Sequence, residues 1–124
     1  MSPNPDLATT TSVLLIDSSK KQRTYWVDQL RRCSSDYEIV EASDAQSGLD
    51  LYRSRRIDCV VLELSLPDQE GFKTLVELVP VASRPKIAVI VLTLMTHPGV
   101  WRLAKESGAY NLLGKRLHDG RGLG

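Results

Sequence analysis

The chain has 124 residues, 42% of them hydrophobic and 25% charged, with a formal net charge of +1 at pH 7. That length suits one domain with its own core and is too short for two. A charge so near zero gives no global attraction to nucleic acid or an anionic membrane, and no apolar run approaches the roughly 20 residues of a membrane helix.

Residues 1–12, "MSPNPDLATTTS", carry prolines and threonines and no apolar stretch. They read as a flexible tail rather than a secretory signal, which makes the chain a cytoplasmic one with its domain over 13–124. "VLLID" (13–17) is the first strand. Ser18 or Ser19 caps the helix that follows, whose apolar stripe is Tyr25 or Trp26, Leu30 and Cys33. "YEIVEA" (37–42) is a weaker second strand. The second helix lies in "ASDAQSGLDLYRS", with Ser43 as its expected cap and Ala45, Leu49 and Tyr52 inward. Arg53, Arg55 and Arg56 close it, since cations suit a helix C-terminus.

"DCVVLEL" (58–64) is the third strand, and a third helix begins near Gly71. That helix carries Phe72, Leu75, Val76 and Val79 inward and stops at Pro80. "KIAVIVLT" (86–93) is the fourth strand. The fourth helix runs from Pro98, a good first helical residue, to Gly108, a good stop. Val100, Leu103, Ala104 and Ser107 form its inward stripe, with Trp101 beside it. "AYNLLG" (109–114) is a weaker fifth strand, and the glycine-rich "RLHDGRGLG" after it is too short for a full fifth helix. Cys33 and Cys59 lack metal-ligand spacing and read as reduced thiols. His97 and His118 read as solvated loop residues.

The first, third and fourth strands lack polar alternation, so both their faces are covered, as in a parallel sheet between helices. Strands alternating with helices and joined by right-handed crossovers point to an α/β, flavodoxin-like doubly wound sheet of five strands in the order 2-1-3-4-5, its fifth helix short or absent. Ligands of such sheets bind at the carboxyl ends of the strands. Those ends are Asp17, Glu63, Thr93 and Lys115. Two acids with backbone oxygens suit Mg²⁺, though weakly here, and Thr93 and Lys115 can meet an anionic oxygen.

From Val13 to Lys115 the chain resembles the receiver domain of two-component response regulators. The features that carry the resemblance are "LLID", the acid of "VVLEL", Pro67 and Gly71 in "LSLPDQEG", "VIVLT" and "GAYNLLGK". The resemblance implies that Asp17 is one of the acids holding Mg²⁺ and that Glu63 stands at the phosphoacceptor aspartate. It also implies that the Ser65 carbonyl is the backbone metal ligand, Thr93 the switch hydroxyl and Lys115 the lysine that bonds the phosphoryl group. Four positions depart from the family. Glu63 is not aspartate, Ser18 replaces the second acid, Leu112 replaces the aromatic switch residue, and Arg116 replaces the usual proline.

Glutamate carries its carboxylate roughly 1.5 Å further than aspartate. Phosphoryl transfer needs near in-line geometry, and a misplacement of about 1 Å can cost on the order of 100-fold. The expectation is therefore a non-enzymatic signalling module, a pseudo-receiver that acts by protein–protein contact and is not phosphorylated. Its expected partner is a histidine kinase or an output domain. Trp101, Tyr110 and Leu112 are the expected contact face, because in receivers the fourth helix, fifth strand and fifth helix carry the output contact. Two alternatives stay open in the same family: a constitutive phosphomimetic, and a Mg²⁺-dependent phosphorelay receiver using Glu63 or a substitute such as Asp68 or Ser65. A small flavodoxin-like nucleotide binder is a different class, opposed by the absence of glycine in "DSSKKQ". No recognition helix or basic stripe gives this chain a nucleic-acid partner.

Overall fold

The computed structural model describes residues 10–83, 86–94 and 98–115. Within them lie β1 (Thr11–Ile16), α1 (Lys20–Cys33), β2 (Tyr37–Ala42), α2 (Ala45–Ser54), β3 (Cys59–Glu63), α3 (Gly71–Leu78), β4 (Ala88–Thr93), α4 (Pro98–Glu106) and β5 (Asn111–Gly114). The five strands are parallel in the order β2-β1-β3-β4-β5. This is the expected flavodoxin-like sheet. β1 starts two residues ahead of the predicted strand, with Ser12 buried and its N–H donated to Asp58 Oδ2 at 2.8 Å. The expected short or absent fifth helix, Arg116, His97 and His118 lie outside the described residues.

Alternation along each strand divides the core between the two faces of the sheet. Leu14, Ile16, Val60, Leu62, Val89 and Val91 turn to one face and pack with Leu49 of α2, Leu75 and Leu78 of α3 and Ala104 of α4. Val13, Leu15, Val61 and Leu92 turn to the other, where Trp26, Val27 and Leu30 of α1 cover them. Parallel strands require this double cover, and the aliphatic runs in β1, β3 and β4 supply side chains for both layers.

Helix faces depart from the sequence reading in three places. Cys33 is exposed rather than inward, because α1 ends there and its contact stripe is Trp26, Val27 and Leu30. Val76 is 50% exposed and Thr74 is buried in its place, since α3 is only eight residues long and rotates Thr74, Leu75 and Leu78 toward the sheet. Leu103 is 47% exposed, which leaves Ala104 as the buried side chain of α4. An expected cap also changes. Asp44, not Ser43, closes the N-terminus of α2 by accepting from Ser47 N–H at 2.8 Å. Ser19 caps α1 as expected.

Two glycines are demanded by geometry. A Cβ on Gly71 would stand 2.3 Å from the backbone Cα of Leu64, where nothing can yield. Gly71 N–H donates to Leu64 O at 2.8 Å and Ser65 pairs with Glu70, so the β3–α3 loop folds back tightly on itself. Gly108 has φ 101°, a left-handed conformation that ends α4 with Ala109 N–H bonded to Ala104 O at 2.9 Å.

Candidate functional site

Sheet order alone brings β1 and β3 side by side, with β4 next to β3 and β5 beyond it. The residues at their carboxyl ends therefore converge. Asp17 follows β1, Glu63 ends β3, Thr93 ends β4 and Lys115 follows β5. Lys115 is held in register by its own N–H, which donates to Thr93 O at 2.6 Å.

The centre of the site is the Lys115 ammonium. Nζ stands 2.7 Å from Asp17 Oδ2 and 2.9 Å from Glu63 Oε2. All three side chains are nearly closed to solvent, with 7% of Lys115, 1% of Asp17 and 5% of Glu63 exposed. The contact to Asp17 is a directed hydrogen bond. The approach to Glu63 Oε2 has the distance of an ion pair, but that oxygen receives no well-directed donor. Burial alone draws the Lys115 pKa down, yet the close contacts and charges of Asp17 and Glu63 outweigh it and hold the pKa above the ordinary lysine value.

The remaining carboxylate oxygens are taken by the backbone. Asp17 Oδ1 accepts Ser19 N–H at 2.9 Å, and Glu63 Oε1 accepts Ser65 N–H at 3.1 Å. Ser65 thus enters the site through its amide. Ser18 is exposed. Arg23, which the sequence reading did not single out, braces the first acid from outside. Its guanidinium donates to Asp17 O at 2.7 Å and to Glu41 Oε1 at 3.2 Å, tying α1 and β2 to the loop after β1. Its signal in the sequence is only a basic residue one helical turn beyond the Ser19 cap.

Other expected residues fall elsewhere. Asp68, raised as a substitute acceptor, turns away from Lys115. Its two oxygens accept Ala45 N–H and Gln46 N–H at 2.9 Å each, so it caps α2 from the β3–α3 loop. Those backbone hydrogen bonds hold its carboxyl below the usual value. Leu112 is half-buried and packs into the larger core cluster. Trp101 is 40% exposed in the first half of α4, with Lys105 Nζ 5.2 Å from its ring centroid. Tyr110 is exposed just before β5, at the opposite end of that strand from Lys115. Trp101, Tyr110 and Leu112 therefore do not form one exposed patch, because Leu112 faces inward.

The residue set fits Mg²⁺ poorly. Mg²⁺ needs a near-octahedral shell of oxygens. Here the two acids face an ammonium, and three of their four oxygens already accept directed N–H groups. Among the described residues no group of three or more His, Cys, Asp or Glu is placed to hold a metal.

The family model for the response regulator receiver domain matches residues 13–123 of this chain. The chain belongs to the response regulator receiver family. Protein CcdB of Bacillus subtilis (strain 168) is 30% identical over 110 residues, covering 88% of both chains. Transcriptional regulatory protein PdtaR of Mycobacterium tuberculosis (strain ATCC 25618 / H37Rv) is 28% identical over 111 residues. That match takes in 89% of this chain but only 52% of PdtaR. Among solved structures, the chemotaxis response regulator CheY4 of Vibrio cholerae superposes with a TM-score of 0.77 at 24% identity, over 88% of this chain and 89% of that one, a likeness of fold. Receiver domains are in general non-enzymatic signalling modules that work with kinases and output domains. No helix among the described residues is long and apolar enough to cross a membrane.

Proposed function

We propose that this receiver is a pseudo-receiver: a cytoplasmic signalling module that acts by protein–protein contact and does not pass through a phosphorylated state. The observation that carries this reading is the Lys115 ammonium held between Asp17 and Glu63. Glu63 stands where the family has its phosphoacceptor aspartate, and the charge of the site is already met within the chain. A carboxylate acting as acceptor needs an oxygen open to an incoming phosphorus along an in-line path. Glu63 Oε1 is bonded to Ser65 N–H, and Oε2 is buried against Nζ.

Leu112 supports the same reading. It stands at the family's aromatic switch position, and its aliphatic side chain packs into the core. It has no ring whose rotation could report on Thr93. The partner is a protein, a histidine kinase or an output domain, and Trp101 and Tyr110 are exposed side chains available to meet it.

Intact mass spectrometry after incubation with a small-molecule phosphoryl donor and Mg²⁺ tests the proposal. Wild type is expected to carry no phosphoryl adduct. A stoichiometric adduct on Glu63 refutes the reading, and a Glu63→Asp variant that alone becomes labelled assigns the block to the extra methylene. The phosphomimetic alternative predicts that Glu63→Gln loses partner binding; an inert site predicts that it does not.

A further inference from the structure

We propose that the Lys115 ammonium is a tethered cation that stands in for a metal ion, so that the carboxyl edge of the sheet is held in its working geometry without any divalent cation. The proposal deepens the phosphorylation-independent reading above and rests on it.

A carboxylate pair ending two adjacent strands needs a positive charge between its members, because two buried acids repel each other and lose hydration together. A divalent cation would supply that charge from solvent. In this chain the charge comes from the end of β5, fixed at the backbone by the Lys115 N–H bond to Thr93 O and at the tip by contacts of 2.7 and 2.9 Å. One ammonium therefore links the ends of β1, β3 and β5. Arg23 adds a second positive group on the outer side of Asp17 through its carbonyl oxygen. Lys115 thus meets the two carboxylates directly, while the Arg23 guanidinium is itself ion-paired with Glu41 at 3.2 Å.

Entry of a metal would require one of two changes. The ion could displace the ammonium, which would pull Lys115 out of a site where 93% of its side chain is covered, the complement of the 7% exposed. Alternatively it could bind beside the ammonium, with like charges within a few ångströms and only Glu63 Oε2 lacking a directed donor. Neither gives Mg²⁺ or Mn²⁺ the oxygen shell it needs. Removal of the lysine charge would reverse the situation. Asp17 Oδ2 and Glu63 Oε2, which now converge on one nitrogen, would converge on an open cation position.

The test uses the whole chain with Mn²⁺ as probe and two readouts, paramagnetic broadening of ¹⁵N-resolved amides and thermal melting. Wild type is expected to show no selective broadening at residues 17–19 and 63–65 and no shift in Tm up to roughly millimolar Mn²⁺. Lys115→Gln, which keeps an N–H donor on a shorter stem and carries no charge, is expected to bind Mn²⁺ at least about tenfold more tightly than wild type and to melt higher in its presence. Saturable, selective broadening in wild type overturns the proposal. So does a folded Lys115→Gln protein without any gain, or one that stays unfolded when Mn²⁺ is supplied. Failure here is separable from failure of the pseudo-receiver reading. Mn²⁺ binding by wild type without a phosphoryl adduct removes only the tethered cation, whereas an adduct formed with all divalent metal chelated removes only the pseudo-receiver.

Discussion

Replacing Lys115 with methionine keeps an unbranched stem of similar length and deletes one charge from a site where Asp17 and Glu63 stay buried. Removing one partner of a buried ion pair typically destabilises by about 3–5 kcal/mol, because the remaining charge is stranded. The upper part of that range applies here, since two carboxylates are stranded and their side chains are 1% and 5% exposed. Asp17→Asn should cost less, about 2 kcal/mol, because the amide oxygen can still accept from Ser19 N–H and Glu63 still faces the ammonium. Glu63→Gln should cost least, about 1 kcal/mol, since Lys115 keeps its directed hydrogen bond to Asp17. Urea unfolding at pH 7, followed by far-ultraviolet circular dichroism, gives the three values. A Lys115→Met protein within about 1 kcal/mol of wild type, or Glu63→Gln as the most damaging of the series, would refute the buried ion pair as the source of this stability. The alkaline limb supplies an internal check. Lys115 has a folded pKa raised above the ordinary 10.5, so its contribution is complete below that value and is lost as pH rises through the folded pKa. Lys115→Met should lack that loss.

Gly71→Ala should destabilise by about 3 kcal/mol or more, because the new Cβ meets the Leu64 backbone rather than a side chain that can yield; a melt within a degree of wild type would contradict this. Asp68→Asn tests the brace between the β3–α3 loop and α2. The Asp68 carboxyl sits below its usual pKa of 3.8, so its contribution is present above that value and is lost as pH falls through the folded pKa. Wild type should lose stability across that acid window by more than the variant does, and parallel acid limbs would refute the assignment.

Much of this fold was legible because its signals are local. Unbroken aliphatic runs at β1, β3 and β4 can only be satisfied by cover on both faces, and that requirement led to a parallel sheet and its 2-1-3-4-5 order. The same logic located Asp17, Glu63, Thr93 and Lys115 at one edge, since parallel strands share a carboxyl end. Helix faces were less legible. Val76 and Thr74 differ by two positions, and a short helix can satisfy its apolar stripe with either side until the sheet beneath it selects one. Ser43 and Asp44 are both competent caps, and only the path of the chain from β2 aimed Asp44 at Ser47 N–H.

The sequence by itself determined which residues carry charge to the site and that the acid ending β3 is a glutamate. Only the tertiary structure decided that both acids share one ammonium. Lys115 lies 98 positions from Asp17, and no periodicity or spacing connects them. The order of strands sets the ends of β1, β3 and β5 within reach, and burial then forces the two carboxylates to share one ammonium because water is no longer there to separate them. The same holds for Asp68, five residues beyond Glu63 in the chain, whose carboxylate the folded loop turns from the site to the open N–H groups of α2.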